Sequence, residues 1–244
     1  MIRKSHYGVV SAVSVLLFCH FALTEAKIPV GNAVNSGDNA LPANKIALKM
    51  MERLKQRDTE LLHYSEARTY EVKSDDKKPA AIINAVMDFS SPPAAKDFRI
   101  VSKSNASSAS NMVYDHETKA EKDALSVFSQ KQASLTSENY NFAIQGQQAM
   151  NGIQCYVLEL QPKRLDKMLL KGKLWVSTDN FDLLRMEGTP AKSPSIWIKN
   201  ISFVREFQNV NGFWLPREDD STIDVRLYGR IKVKIDHHDL KIAK

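Results

Sequence analysis

Short turn signals recur through the second half of the chain and constrain its fold more than any other feature. After Asn139 the sequence alternates apolar runs with brief polar segments, two of which contain Asn151-Gly152 and Asn211-Gly212. Asn-Gly pairs are typical of tight β-hairpin turns. Strands joined by such short connections pair antiparallel, because parallel neighbours need a long crossover. The pattern therefore predicts eight consecutive strands between Asn139 and the end of the chain.

Two segments of the first half have helical periodicity instead. Ile46, Met50 and Leu54 recur at four-residue spacing on one side of an amphipathic helix. A second helical segment has a thinner apolar face that includes Leu125 and Phe128. Short runs of period two lie between these segments and predict three further strands. The polar run "SNASSAS" before the second helix predicts a loop.

These elements predict an α+β fold in a single domain of residues 42–244. A large antiparallel sheet twists and curls rather than remaining flat. Amphipathic helices are not stable alone and bury their apolar faces against such a sheet. We therefore expect a strongly curved antiparallel sheet, an incomplete β-barrel, with two helices covering its concave face.

Residues 1–26 predict a secretory signal peptide. A basic start precedes an apolar run at 9–23, and small residues follow at the expected cleavage point. The apolar run is shorter than a typical membrane-spanning helix. Residues 27–41 are rich in Gly, Pro, Asn and Ser, which predicts a flexible leader. We expect the mature protein to be located in the periplasm.

The two cysteines bear on lipid anchoring and on disulfide formation. Cys19 offers an alternative to the simple signal peptide, namely a lipoprotein signal with a lipid anchor. Phe18 disfavours this alternative, because the processing site needs a small residue before the cysteine. Removal of the signal leaves Cys155 alone, so no internal disulfide can form. Cys155 lies in an apolar strand, which predicts a buried and unreactive thiol.

The charge balance is mildly basic. The chain has 34 Lys and Arg residues against 28 Asp and Glu residues, a formal net charge of +6. No arginine-rich arm or zinc pattern accompanies this charge, so we do not predict a nucleic acid partner. A basic exported protein can approach anionic membrane surfaces.

The sequence contains none of the common catalytic or metal-binding motifs. It has no Gly-rich phosphate loop, no G-x-S-x-G elbow and no H-E-x-x-H helix. The run "DHHD" at 236–239 alternates between the two faces of a strand, so at most two ligands share a face, fewer than zinc requires. We interpret this run as a polar edge, and "REDD" at 217–220 as a solvated loop. The sequence therefore predicts neither an enzyme nor a metal or cofactor site.

The C-terminal half, about residues 138–242, resembles the LolA-like, outer-membrane lipoprotein-sorting family of exported proteins. The resemblance rests on "NYNF", "GIQCYVLELQPKR", the hairpin "GKLWVSTDNFDLLRMEG", "PAKSPSIW" and "NGFWLPRE". For residues 42–135 it rests on the order of elements. It implies an incomplete antiparallel barrel with helices as a lid over an apolar cavity. Arg68 lies in a region comparable to the early strand whose arginine helps to hold the lid closed in the carriers.

The residues and the resemblance together lead to one main hypothesis. We expect a non-enzymatic periplasmic carrier or sorting protein that shelters lipid or lipoprotein acyl chains and meets a membrane-bound donor or acceptor. Two alternatives remain open: an envelope sensor or protein-interaction module of the same fold with a filled cavity, and a hydrolase. The expected cavity residues are Ile46, Met50, Leu54, Leu125, Phe128, Leu174, Val176, Leu184 and Met186.

Overall fold

The computed structural model of the chain describes residues 41–74 and 79–243. The predicted signal peptide, and the predicted leader up to residue 40, lie outside the described residues. The described residues form three helices: α1 (Ala43–Glu60), α2 (Ser108–Ala124) and α3 (Val127–Ala133). They also form ten strands: β1 (His63–Lys73), β2 (Ala81–Ser90), β3 (Ala95–Ser104), β4 (Tyr140–Met150), β5 (Ile153–Pro162), β6 (Leu170–Ser177), β7 (Leu183–Pro190), β8 (Ile198–Val210), β9 (Phe213–Val225) and β10 (Gly229–Ile242).

All ten strands belong to one antiparallel sheet with the order β3-β2-β1-β10-β9-β8-β7-β6-β5-β4. The chain therefore runs as a meander from β4 to β10, and β10 then pairs with β1. Within the described ranges the sheet is not closed, and β3 and β4 are its two edges. The predicted open antiparallel sheet is confirmed at this level. Asn151-Gly152 and Asn211-Gly212 have positive φ angles, as the predicted tight turns require.

The meander has seven strands rather than the predicted eight. The sequence from Phe213 to Val225 forms the single strand β9, although we predicted two strands there. Pro216 pairs with Phe207 at the point where the register between β8 and β9 shifts. An irregularity of this kind accommodates a proline that lacks a ladder donor. The prediction of a strand end near Pro216 is therefore wrong.

Serine side chains explain a second difference, in the helices. Helix α2 begins inside the predicted polar loop, because Ser107 and Ser110 form a reciprocal capping box. The predicted second helix then ends after Ala124, and Ser126 caps the separate short helix α3. Serine hydroxyls form hydrogen bonds with nearby backbone groups. Such bonds start or end a helix as readily as they form a loop. The described residues thus contain three helices where we predicted two.

The largest apolar core joins α1 to one face of the sheet, here called the buried face. Its members from α1 include Ile46, Met50 and Leu54. The strands contribute residues at every second position, as the alternation of a sheet requires. A smaller cluster lies on the opposite face of β5–β7 and consists of Cys155, Val157, Trp175 and Leu184.

Candidate functional site

All the buried residues of helix α1 are apolar. Ile46, Met50 and Leu54 belong to this set, together with Ala47 and Met51. On the sheet, Leu174, Val176 and Met186 belong to the same core cluster. Six of the nine predicted cavity residues therefore come together in one apolar cluster between α1 and the buried face.

A β-bulge separates Leu184 from that cluster. The register between β6 and β7 shifts so that Val176 pairs with Leu183, and the pairing omits Leu184. Leu183 consequently occupies the position on the buried face that simple alternation gives to Leu184. Leu184 packs instead against Trp175 and Cys155 on the other face. A one-residue irregularity exchanges the two faces of a strand, and hydrophobic periodicity does not reveal it.

The remaining two predicted cavity residues lie near the second and third helices. Leu125 is half-buried at the C-terminal end of α2. Phe128 belongs to α3, and its side chain lies outside the described part of the structure.

A groove of ≈ 140 Å³ lies between the C-terminal half of α1 and two turns of the sheet. Leu54, Leu183 and Trp214 contribute apolar surface to it. Two arginines of α1 also line it. Arg53 donates to the Asp182 carboxylate at 3.1 Å, and Arg57 donates to the carbonyl oxygen of Trp214 at 3.3 Å. Asp182 and Glu60 also line the groove, so it joins the apolar core cluster to a rim of both basic and acidic side chains.

A second part of the buried face is ionic rather than apolar. Arg68 on β1 donates to Glu66 at 2.6 Å and forms a two-point contact with Glu121 on α2. Lys96 on β3 donates at 2.6 Å to the Glu121 Oε2 atom, which also accepts from Arg68. Each of these four residues is at most 4% exposed. Arg68 and Lys96 therefore link helix α2 to the two strands β1 and β3.

The ionic contacts continue across the sheet through His237 on β10. Its Nδ1 atom lies 3.2 Å from a Glu66 oxygen, and its Nε2 atom lies 3.3 Å from an Asp219 oxygen. Asp219 in turn accepts two hydrogen bonds from Arg205, at 2.5 and 2.7 Å. Both ring nitrogens face carboxylate oxygens, and only the imidazolium form donates to both. We call the residues of this connected set the ionic cluster: Glu66, Arg68, Lys96, Glu121, Arg205, Asp219 and His237.

Burial and charge shift the pKa values within the ionic cluster in opposite directions. Burial alone raises the pKa of Glu66, but Arg68 and His237 outweigh it and lower that pKa to about 2. Arg205 and His237 likewise overcome burial and lower the pKa of Asp219. Burial opposes the protonation of His237, but Glu66 and Asp219 raise its pKa above the usual value. The geometry therefore favours the charged form of all three groups.

Glu117 differs from these residues because the nearby cations do not outweigh the effect of burial on its pKa. It lies one turn before Glu121 on α2, and it is 2% exposed. Its Oε1 atom has no hydrogen-bond partner among the described residues. Burial, with the nearby carboxylates of Glu121 and Asp219, raises the Glu117 pKa well above its ordinary value. The buried position of Glu117 therefore favours its protonated form.

Our interpretation of two acidic runs misses the ionic cluster. We predicted a solvated loop at 217–220 and a polar edge at 236–239, but Asp219 and His237 are buried. Both assignments are wrong for these residues. The missed signal is alternation: Asp219 shares a strand face with Ile223, and His237 shares one with Ile235. A charged residue in phase with buried apolar neighbours faces inward.

Other predictions about reactive groups concern cysteine and metals. Cys155 is fully buried, as predicted, and burial raises the pKa of its thiol to about 11. Among the described residues no group of three or more His, Cys, Asp and Glu side chains is arranged to hold a metal ion. No helix within 41–74 or 79–243 combines the length and apolarity needed to span a membrane.

Comparisons with known proteins place the chain in a family. Residues 84–226 match the model of a protein family described as an uncharacterized protein. The chain belongs to this family. No curated protein matches the sequence.

Several solved structures are similar to the chain at 14–16% sequence identity. One is an outer membrane lipoprotein-sorting protein domain from Vibrio parahaemolyticus, 15% identical, with a TM-score of 0.45 over 83% of this chain and 94% of that chain. Another is a DUF1329 family protein from Desulfovibrio piger, 16% identical, with a TM-score of 0.40 over 82% of this chain and 91% of that one. A third is a LolA superfamily protein from Nitrosomonas europaea, 14% identical, with a TM-score of 0.35 over 84% and 95%. Two of these three structures carry lipoprotein-sorting or LolA names, as the sequence resemblance predicts.

Proposed function

We propose that the protein is a non-enzymatic, exported carrier that shelters an acyl chain between α1 and the buried face of the sheet. The observation that carries the proposal is the division of one buried face into an apolar region under α1 and an ionic region at α2. The first region provides a hydrocarbon environment. The second provides a contact that holds the interior shut. On this proposal the helices act as the covering of the concave face, and the protein works in the periplasm.

The apolar region supports binding of a hydrocarbon chain without any catalytic group. Met50, Met51 and Met186 are all buried in it, and methionine adapts its shape to irregular ligands more easily than branched residues do. Each methylene group removed from water contributes about 0.8 kcal/mol. The groove beside Leu54 and Leu183 continues from this cluster and provides an entry point for the chain. The proposed ligand-contacting residues are Ile46, Met50, Leu54, Leu174, Val176, Leu183 and Met186.

The ionic cluster supports a closing role for Arg68. Buried ion pairs stabilise a fold little compared with well-packed apolar residues, because both partners lose their hydration. Breaking one pair is nevertheless costly, since a charge is then left buried and unpaired. The Arg68–Glu121 contact therefore holds α2 in a defined position. Breaking this contact would release the helix as a unit. This geometry agrees with the lid-holding arginine that the resemblance implies.

A displacement assay tests the proposed acyl-chain site. The predicted mature chain, from Lys27 onward, is loaded with a fluorescent fatty acid, which is then displaced by saturated fatty acids of increasing length. We expect the competitor affinity to rise about fourfold with each added methylene group until the site is filled. A competitor affinity that does not depend on chain length contradicts the proposal.

The same assay tests the closing role when it is followed in time. Glu121→Gln weakens the contacts to Arg68 and Lys96 and keeps the side-chain shape, so we expect faster exchange of the fatty acid. Asp123→Asn is the matched control, because Asp123 lies on the same helix in an exposed ion pair with Lys119. Equal exchange rates in the two variants would remove the ionic cluster from the mechanism.

The complete burial of several core side chains favours a second candidate function. Leu158, Leu174 and Ile223 are fully buried, as expected for an interior that the protein fills with its own side chains. In that case the fold serves as an envelope sensor or protein-interaction module. A mature chain that binds no fatty acid in the displacement assay supports this candidate over the carrier.

A further inference from the structure

Three connections of the meander lie side by side at one end of the sheet. They join β5 to β6 (163–169), β7 to β8 (191–197) and β9 to β10 (226–228). Alternate connections of an antiparallel meander fall at the same end. Backbone hydrogen bonds join the neighbours directly: the Ala191 amide donates to the Leu169 oxygen at 2.7 Å, and the Arg226 amide donates to the Trp197 oxygen at 2.7 Å. We call these three connections the loop end.

The loop end holds the most exposed large apolar side chains of the described residues. Leu165, Ile196 and Leu227 are 80%, 82% and 98% exposed, one on each connection. Trp197 and Tyr228 beside them are 45% and 42% exposed. Single exposed apolar residues are common on proteins, but a contiguous group of them marks an interaction surface. The loop end therefore has apolar tips that the described fold leaves in water.

Basic side chains surround these tips. The three connections contain five basic residues and the single acidic residue Asp166. Arg226 directly precedes Leu227, and Lys192 belongs to the same connection as Ile196; both basic residues are exposed. Positive charge close to an anionic membrane surface contributes about 1 kcal/mol per Lys or Arg residue. The charge of the loop end thus complements an anionic surface.

The mixture of residue types favours a lipid bilayer over a protein partner. Lysine is depleted in protein–protein interfaces, and the centres of such interfaces contain few charges. A bilayer surface accepts both kinds of residue, because apolar tips enter the acyl region while Lys and Arg side chains remain among the headgroups. Trp and Tyr rings also concentrate at that boundary. Trp197 directly follows Ile196 in the sequence, and Tyr228 directly follows Leu227.

We propose that the loop end is a membrane-docking surface, which inserts Leu165, Ile196 and Leu227 into bilayers that contain anionic lipid. This proposal does not depend on the acyl-chain site, because none of these side chains belongs to the apolar core cluster. A carrier and an interaction module would both use such a surface to bind a membrane. The contact is reversible, since it involves short loop tips rather than a spanning segment.

Vesicle flotation of the predicted mature chain tests the docking surface. This chain contains the whole described fold, and the vesicles are pure phosphatidylcholine or a mixture of phosphatidylcholine and phosphatidylglycerol. We expect flotation with the mixed vesicles and little with phosphatidylcholine alone. Ile196→Ser and Leu227→Ser are each expected to weaken binding about tenfold. Leu62→Ser is the matched control, because Leu62 is an exposed leucine at the opposite end of the sheet, and its binding should equal that of the wild type.

A depth-sensitive readout separates insertion from other kinds of attachment. Brominated acyl chains quench tryptophan emission on contact, so we expect quenching in the wild type that is lost in Trp197→Phe. Trp175 is buried, and Trp214 lies at the other end of the sheet, beside the turn at Asn211-Gly212. Unchanged melting temperatures exclude misfolding of the exposed-site variants. Three results overturn the proposal: equal binding to both kinds of vesicle, wild-type binding by both serine variants, or capture of a protein by the loop end without any vesicle binding.

Discussion

The two long helices differ in the charged side chains that they bury against the same sheet. Helix α1 buries Ile46, Met50 and Leu54 with two further apolar residues. Helix α2 buries Glu117 and Glu121, and it also contributes Val113 and Tyr114 to the apolar core cluster. Apolar contact is non-directional and can rearrange around a hydrocarbon chain, whereas a charge-assisted hydrogen bond depends on fixed geometry. On the proposed function, α1 belongs to the acyl-chain compartment and α2 to its closure.

The largest expected effect comes from breaking the ionic cluster. Arg68→Met leaves Glu66 and Glu121 buried without their main cation, so we expect a loss of about 3–5 kcal/mol in the free energy of unfolding. Arg217→Met is the control, because Arg217 pairs with Glu206 at an exposed position where ion pairs contribute about 0–1 kcal/mol. Chemical denaturation measures both changes. Similar values for the two variants would contradict a special role for the cluster.

Truncation in the apolar region is expected to have a slightly smaller effect. Met50→Ala opens a cavity under α1 and should cost about 2–5 kcal/mol in the free energy of unfolding. The control Leu48→Ala changes a partly exposed residue of the same helix and should cost less than about 0.5 kcal/mol. An acyl ligand fills the new cavity if the compartment is real, so added fatty acid should restore more stability to Met50→Ala than to Leu48→Ala. Equal recovery would argue against binding under α1.

A third prediction concerns Glu117 on α2, whose replacement by glutamine is expected to stabilise the protein rather than destabilise it. The raised pKa of Glu117 means that the folded protein retains a proton that the unfolded chain releases above pH 4.5. Stability therefore falls by about 1.4 kcal/mol per pH unit above that value, until the folded-state pKa is reached. Glu117→Gln should remove this decline and stabilise the protein at neutral pH. Glu121→Gln, one turn away, should instead destabilise it.

Measured unfolding free energies between pH 5 and 8 would check this pair of variants. Parallel pH profiles for the wild type and Glu117→Gln would contradict a raised pKa of Glu117. At the acidic end the depressed pKa of Glu66 acts in the opposite sense. Its contribution is present above the ordinary value of 4.5 and is lost as the pH falls towards about 2.

The smallest expected effect concerns the exposed pair on α2. Lys119 and Asp123 are spaced i,i+4, and both side chains are more than half exposed. Asp123→Asn should therefore cost only about 0.3–0.5 kcal/mol in the free energy of unfolding. A larger loss, measured by thermal or chemical denaturation, would mean that the outer face of α2 takes part in closure.

The sequence predicts the strand meander and the apolar face of α1 because both depend on local periodicity. It does not predict Leu183 in place of Leu184, because a bulge changes the phase without changing the composition. It also fails for Asp219 and His237, whose partners are distant in the chain. His237 lies 171 residues from Glu66 in sequence. Ionic contacts between distant residues appear only when the sheet order brings β10 beside β1.

Mass spectrometry of lipid retained by the purified protein tests the central claim most directly. The chain would be recovered from the soluble fraction after export, washed free of detergent and extracted with organic solvent. The acyl-chain compartment predicts a near-stoichiometric amount of a lipid with at least one long acyl chain, and a reduced amount in Glu121→Gln. Protein that carries no lipid, and that also fails to bind added fatty acid, would contradict the claim.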